Sequence, residues 1–366
     1  MAARILVRGV NWLGDAVMTT PALWRLREAH PNANITILTD AKLADLWRHH
    51  PAVNSVLTFS QGESPWRIAR RLREQRFEIG VALPNSPRSA LELWLAGIPR
   101  RIGCDRPWRN FFLTQRAPEK NRVRMRKKST TEIRDLIRTA EAPLPRALTS
   151  SAHQIFDYLH LVSHLGASSE PIAPFLAVTD EVMNAVVRRW QLDVSSSLFG
   201  LNPGAEYGPA KRWPVKDFIA SAIEIQKHTN CQWLIFGGKS DIAVGNEIVH
   251  GLRNGDLPAS AILNLAGETT LGELCALLKR CRLLLSNDTG PAHVAAAVGT
   301  PVIIPFGSTS PELTGPGLPG ESRNHFLRAN VPCSPCFLRE CPIDFRCMRG
   351  ITVDQVVEAV LKASGA

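Results

Sequence analysis

The sequence predicts an α/β protein of two domains, each a parallel sheet with helices on both faces. Three observations lead there. The chain has 366 residues, more than a single hydrophobic core usually supports. Short apolar runs alternate with helical segments in two separate series, the pattern of a parallel sheet. A stretch Pro-Ile-Ala-Pro-Phe at 171–175 lies between the two series and reads as a linker. The expected division is 1–172 for the first domain and 173–350 for the second, with a terminal helix in 351–366 able to pack back across either.

The first series opens with a buried strand from Arg4 to Val10, a loop of Asn11, Trp12, Leu13 and Gly14, and a helix ending near Pro31. Strands follow at 35–39, 55–59 and 78–83, with helices near 41–49, 65–76 and 86–97. Residues 117–150, rich in Lys, Arg, Pro and Thr and including the basic run 120–128, read as a mobile loop. A helix around 152–165 precedes the linker. The second series places strands at 198–203, 233–238, 262–266, 282–287 and 301–306. In the last helix, near 352–363, Val356, Val357, Val360 and Leu361 recur at helical spacing.

Composition narrows the class. A hydrophobic share of 45% with 21% charged residues excludes a largely disordered or fibrous chain. No run approaches the roughly 20 apolar residues of a membrane span, and Arg8 interrupts the only apolar stretch near the start, so the expected location is the cytosol. Eight cysteines are too dilute for a disulfide scaffold. The net charge of +10, from 43 basic and 33 acidic residues, favours an anionic partner or simply a basic surface.

Five loops at the carboxyl ends of strands carry candidate chemistry, because ligands bind open α/β sheets at that edge. After the first strand come Gly14 and Asp15, a functional carboxylate or an ordinary N-cap; the G-x-G-x-x-G fingerprint of a dinucleotide cofactor is missing. After the first strand of the second half, Asn202 through Pro214 holds Gly204 in a turn that closes on Lys211 and Arg212, suited to a phosphate. The run Phe-Gly-Gly-Lys-Ser-Asp at 236–241 fails as a Walker A motif, and Ser240 or Asp241 would bind ribose hydroxyls or cap a helix. The strongest signal is 286–301, where Asp288 or Thr289 caps a helix, Pro291 suits its first turn, and the amides of 289–291 would bind an anion beside His293. Ser308, Thr309 and Ser310 would stand on the same rim.

Two further clusters carry candidate function. Cys333, Cys336, Cys341 and Cys347 begin as CxxC, but the second pair departs from metal-ligand spacing, so free or structural thiols are expected rather than a metal. The helix at 66–76 presents Arg67, Arg70 and Arg71 one turn apart, a cationic wall for a phosphorylated lipid or a merely solvated face. No aromatic platform interleaves these charges, so nucleic acid is not expected.

Taken together, Leu-Gly-Asp-Ala-Val-Met-Thr-Thr-Pro at 13–21, Lys-Arg-Trp-Pro at 211–214, and Asn-Asp-Thr-Gly-Pro-Ala-His at 287–293 followed by Gly-Thr-Pro at 299–301 resemble the ADP-heptose lipopolysaccharide heptosyltransferases of glycosyltransferase family 9. The resemblance spans nearly the whole chain. The 202–211 and 306–314 segments and the late cysteines are most similar to the branch that adds the second heptose, heptosyltransferase II.

The resemblance implies a GT-B fold, two Rossmann-like domains facing each other across a cleft, with no cofactor and no required metal. It implies a lipid acceptor on the first domain, with Asn11, Trp12, Arg67, Arg70 and Arg71 as candidate contacts, and ADP-heptose on the second. Asp15 matches the family's general base and Lys211 its diphosphate contact. Gly14, Asn202, Gly204, Asp241, Asp288, Thr289, Gly290, His293, Ser308 and Thr309 complete the candidate donor site. The implied acceptor is heptosylated Kdo2-lipid A, met by peripheral contact with the cytoplasmic face of the inner membrane. The alternatives are transfer to another core position, a nucleotide-sugar epimerase or dehydrogenase, and a non-catalytic anion-binding module.

Overall fold

The computed structural model describes residues 2–118, 126–139, 149–193 and 195–365. Contacts divide the chain into two compact units, Met1–Val123 with His153–Ala177, and Arg124–Ala152 with Val178–Ala366. The expected break at 172 therefore moves to 177. Part of the reason is a hydrogen bond from the Phe175 amide to Thr20 Oγ1 (3.1 Å), which ties the expected linker to the first unit.

Each unit is built on a six-stranded sheet whose paired strands are all parallel. The first holds β1 (Arg4–Arg8), β2 (Asn34–Asp40), β3 (Ser55–Phe59), β4 (Ile79–Ala82), β5 (Arg100–Cys104) and β6 (Gln115–Ala117), in the order β3-β2-β1-β4-β5-β6. The second holds β7 (Leu198–Asn202), β8 (Gln232–Ile235), β9 (Ile262–Asn264), β10 (Leu283–Ser286), β11 (Val302–Phe306) and β12 (His325–Arg328), in the order β12-β11-β10-β7-β8-β9. Both are the strand order of dinucleotide-binding folds. In both, the direction of winding reverses beside the unit's first strand, which opens a crevice at the carboxyl edge between β1 and β4 and between β7 and β10.

Strands β5, β6 and β12 were missing from the sequence reading. They lie at or next to a sheet edge, are three to five residues long, and carry Arg100, Arg101, Arg116 and Arg328, so they lack the apolar run that marks the interior strands. The first helix also differs from expectation, being two segments, Leu13–Met18 and Thr20–Ala29. Pro21 has no N–H to offer the carbonyl of Val17 four residues back, and Thr20 Oγ1 donates to that oxygen instead (2.8 Å).

The loop expected over 117–150 is corrected in part. Residues 119–125 and 140–148 lie outside the described residues, but Thr130–Arg138 is a helix with Ser129 accepting from the Glu132 amide. Its Ile133 packs against Cys333 and Cys336, and Lys128 donates to the carbonyls of Pro332 (3.3 Å) and Cys333 (3.1 Å). The charged residues around Ile133 hid an amphipathic helix whose partner lies 200 residues away.

The terminal helix, Val353–Ser364, packs within the second unit, on the Val215–Thr229 helix and against β10 to β12. Val356, Val357 and Val360 enter a core with Phe199, Trp213, Phe218, Trp233 and Ile303. The first unit's core gathers Leu6, Leu38, Ile68, Leu72, Ala82 and Leu93 between the sheet and the helices Pro65–Glu74 and Pro87–Leu95.

Candidate active site

In the first unit, β1 delivers the chain to the crevice beside β4, and the loop Gly9–Trp12 leads into the Leu13–Met18 helix with Asp15 in its first turn. Asn11 and Trp12 are exposed, while Gly14 and Asp15 are half-buried at the rim. The ammonium of Lys42 lies 5.8 Å from the Trp12 ring. What holds this loop is a buried charge network that the sequence reading did not find. Arg8 and Glu92 are both almost fully buried, with Arg8 Nε 2.8 Å from Glu92 Oε2. Arg88 takes the other carboxylate oxygen at 2.8 Å. Arg8 Nη1 then donates to Gly9 O (2.5 Å) and Asn11 Oδ1 (3.1 Å), and its guanidinium stacks 4.2 Å from the Phe59 ring. Arg8 had registered only as a charge within an apolar run.

The candidate acceptor arginines separate. Arg67 and Arg70 stand exposed on the Pro65–Glu74 helix. Arg71 is committed within its own unit, to Thr58 O (3.0 Å) and Glu63 Oε1 (2.9 Å).

In the second unit, the loops after β8, β7, β10 and β11 line up at one carboxyl edge, because those four strands are neighbours. At its centre Lys211 Nζ sits 2.5 Å from Asp288 Oδ2, and Thr309 Oγ1 donates to the same oxygen at 2.6 Å. Both charged side chains are largely buried, at 13% and 5% exposure. Lys211 also lies 4.8 Å from the centroid of the Tyr207 ring, which the Arg339 guanidinium approaches at 5.3 Å, and Tyr207 donates to Phe337 O (2.8 Å). Burial pushes the Tyr207 hydroxyl above its ordinary pKa and keeps it a neutral donor. Lys211 is thus held between the Asp288 carboxylate and the Tyr207 ring, beside the start of the Gly290–Ala297 helix.

That start is narrower than the sequence reading held. Pro291 carries no N–H, so the amides at the mouth are those of Thr289 and Gly290, both partly exposed. His293 is buried in the following turn.

Other candidates act indirectly. Asn202 is buried, with its amide on Ser286 Oγ (3.1 Å), so it ties β7 to β10 instead of facing the edge. Asn287, which the sequence reading passed over, does the orienting: it accepts from the Trp213 amide (2.9 Å) and donates to Pro203 O (2.7 Å), clamping both ends of the Lys211 loop. The Asp241 carboxylate accepts from the Gly238 amide (3.0 Å) and lies against the Gly204 turn, where a Cβ would be 2.5 Å from its Cγ. Any side chain at 204 would therefore displace the Asp241 carboxylate. Gly208, at φ +145°, brings its backbone so near Arg339 that a Cβ would be 2.6 Å from that carbonyl.

Ser308 is also redirected. It lines a cavity with Cys333, Cys336, Cys341 and Cys347, and its buried hydroxyl has no hydrogen-bond partner. Burial pushes the thiols of Cys333 and Cys336 upward and that of Cys347 to about 12. Among the described residues, no group of three or more His, Cys, Asp or Glu is arranged to hold a metal ion.

Comparison with known proteins gives this edge its context. The family glycosyltransferase family 9 (heptosyltransferase) matches residues 65–345. Lipopolysaccharide heptosyltransferase 2 of Escherichia coli K12 is 30% identical over 330 residues, covering 86% of this chain and 85% of that protein. The protein of the same name from Salmonella typhimurium is 30% identical over 319 residues, covering 86% and 85%. The solved structure of E. coli ADP-heptose lipopolysaccharide heptosyltransferase II superposes with a TM-score of 0.76 at 26% identity, covering 99% of this chain and 98% of that one. With a fold, a family match over most of its length and relatives of nearly equal extent all in agreement, the chain belongs to glycosyltransferase family 9, the heptosyltransferases, and is a glycosyltransferase of the GT-B fold.

Proposed function

We propose that this protein transfers a heptose from ADP-heptose to the heptose of a lipopolysaccharide inner core, with inversion at the anomeric carbon. The observation that carries the reading is the Lys211–Asp288–Thr309 knot beside the open amides of Thr289 and Gly290, at the crevice between β7 and β10. A diphosphate is the ligand that such an edge suits, and the relatives named for heptosyl transfer supply the sugar.

In this reading the acceptor hydroxyl oxygen forms a bond to the anomeric carbon while the bond from that carbon to the diphosphate oxygen breaks. ADP departs with the bonding electrons. Asp15 takes the hydroxyl proton, and Lys211 with the two amides meets the charge that grows on the leaving group. Asp241, over the Gly204 turn, takes the ribose hydroxyls. Asp288 and Thr309 hold Lys211 in place, and His293 backs the helix start. Asn11 and Trp12 border the acceptor beside Asp15, with Arg67 and Arg70 serving its phosphates.

The acceptor in this proposal is heptosylated Kdo2-lipid A, reached by peripheral contact with the cytoplasmic face of the inner membrane. Among the described residues no helix is long and apolar enough to cross a membrane. Incubation with ADP-heptose and a deep-truncated lipopolysaccharide, followed by ADP release and product mass, tests the reading. Release of ADP with a gain of one heptose is expected; conversion of the donor without transfer would replace it with an epimerase or hydrolase.

A further inference from the structure

The first unit exposes large aromatic side chains that nothing in the proposed chemistry uses. Trp108 is 89% exposed and Phe111 79% exposed, beside Trp94 at 41%. The rings of Trp94, Phe111 and Phe112 pack on one another, with centroids 5.6 to 6.4 Å apart, so they form one patch. Isolated apolar residues on a surface need no explanation, but a contiguous aromatic patch does.

The segment that presents them is rigid. Arg109 is fully buried directly beneath, donating to Pro84 O (2.8 Å) and Asn85 Oδ1 (3.3 Å), in space left by Gly103, where a Cβ would lie 2.5 Å from Arg109 Nη2. Asn110 bridges Asp105 Oδ1 (2.5 Å) and the Arg106 amide (3.0 Å), and Arg101 Nε donates to Phe112 O (2.7 Å). Trp108 itself sits at φ +67°, a left-handed conformation that a bulky side chain adopts only under constraint. The loop is thus anchored by a buried arginine so as to hold an indole out in water.

Charge states the partner. Residues 65–118 contain eleven arginines and four carboxylates. Arg67 and Arg70 are exposed on the helix next to the one that carries Trp94, and Trp66, at the start of that helix, is 69% exposed. Exposed indole and phenyl rings in an arginine-rich unit match the boundary between headgroups and acyl chains of an anionic bilayer, where rings enter and arginines meet phosphates.

We propose that the Trp94, Phe111 and Phe112 patch, with exposed Trp108 three residues before Phe111 on the same segment, is the surface by which this protein docks on an anionic phospholipid bilayer. This inference rests on the proposed lipid-linked acceptor and names the surface that would bring the first unit to it. The test uses full-length protein and vesicles of phosphatidylcholine with or without phosphatidylglycerol. The wild type is expected to sediment with phosphatidylglycerol vesicles and only weakly with phosphatidylcholine alone. The Trp108→Ser/Phe111→Ser variant should bind at least about tenfold more weakly. Its ADP release should fall with acceptor embedded in vesicles and stay unchanged with a water-soluble truncated acceptor.

Equal vesicle binding by wild type and variant overturns the proposal. So does loss of turnover on the soluble acceptor, which would make the patch a saccharide contact, or a wild-type dimer that the variant abolishes. Failure of the wild type to transfer heptose to either acceptor would strike the proposed function instead, since vesicle binding is read without turnover.

Discussion

Lys211 and Asp288 are expected to work as one unit, and a double-mutant cycle measures whether they do. Lys211→Met removes the cation and leaves the Asp288 carboxylate, 5% exposed, with Thr309 as its remaining hydrogen-bond donor at the same oxygen. Losing a preformed contact to the leaving group lowers turnover by about 100- to 1,000-fold, or about 3 to 4 kcal/mol. In the proposed reaction the stranded Asp288 charge would also repel the diphosphate and add to that loss. Asp288→Asn alone removes the restraint but keeps the cation, so a loss of about tenfold is expected. In the double variant the stranded charge is absent, and turnover should recover by about tenfold over Lys211→Met. The assay is kcat/KM from ADP release, with thermal unfolding of each variant to separate activity from stability. If the two single effects simply add, with a coupling energy below about 0.5 kcal/mol, the geometry at 2.5 Å does not report a functional pair and the orienting role of Asp288 is wrong.

Other consequences follow from separate parts of the molecule. Asp15→Asn should abolish transfer while leaving ADP-heptose affinity within about twofold, measured by calorimetry, because the proposed base contributes to the chemical step alone; turnover near the wild-type rate would assign the base elsewhere. Glu92→Ala leaves Arg8 buried and Arg88 without its carboxylate, and should cost about 3 to 5 kcal/mol of stability by denaturant unfolding. A change below 1 kcal/mol would mean that the network has little structural weight. His50 is held down to about 4 by burial, and its Nδ1 accepts the Ala52 amide (3.3 Å), so it is neutral in the folded protein. As pH falls from the unfolded value near 6.5 toward 4, the unfolded chain gains the proton first, and stability should drop by about 1.4 kcal/mol per pH unit across that window. Melting temperatures of the wild type and His50→Gln between pH 7 and pH 4.5 check this, with a flatter profile expected for the variant.

The periodicity of apolar runs was enough to find the interior strands and both halves, since a strand buried on both faces must be apolar along its length. The motif spacing was also enough to bring Lys211, Asp288 and Thr309 under suspicion, because loops after neighbouring parallel strands share one edge whatever lies between them in sequence. The short edge strands β6 and β12, and β5 beside the edge, left no such trace, since arginine is tolerated there. Neither did the helix at Thr130–Arg138, whose apolar face is defined by cysteines 200 residues later.

What only the tertiary structure decided is which polar groups face outward and which support them. Asn202 and Asn287 have the same side chain and lie at the ends of neighbouring strands, yet one bonds inward to Ser286 and the other clamps the Lys211 loop. Arg8 and Glu92 are 84 residues apart, and nothing local marks them as a buried pair under the Asp15 loop. Residue type and strand period are local properties, legible in order along the chain. Hydrogen-bond partnership is a property of distance in space, and it exists only once the sheet has set the loops side by side.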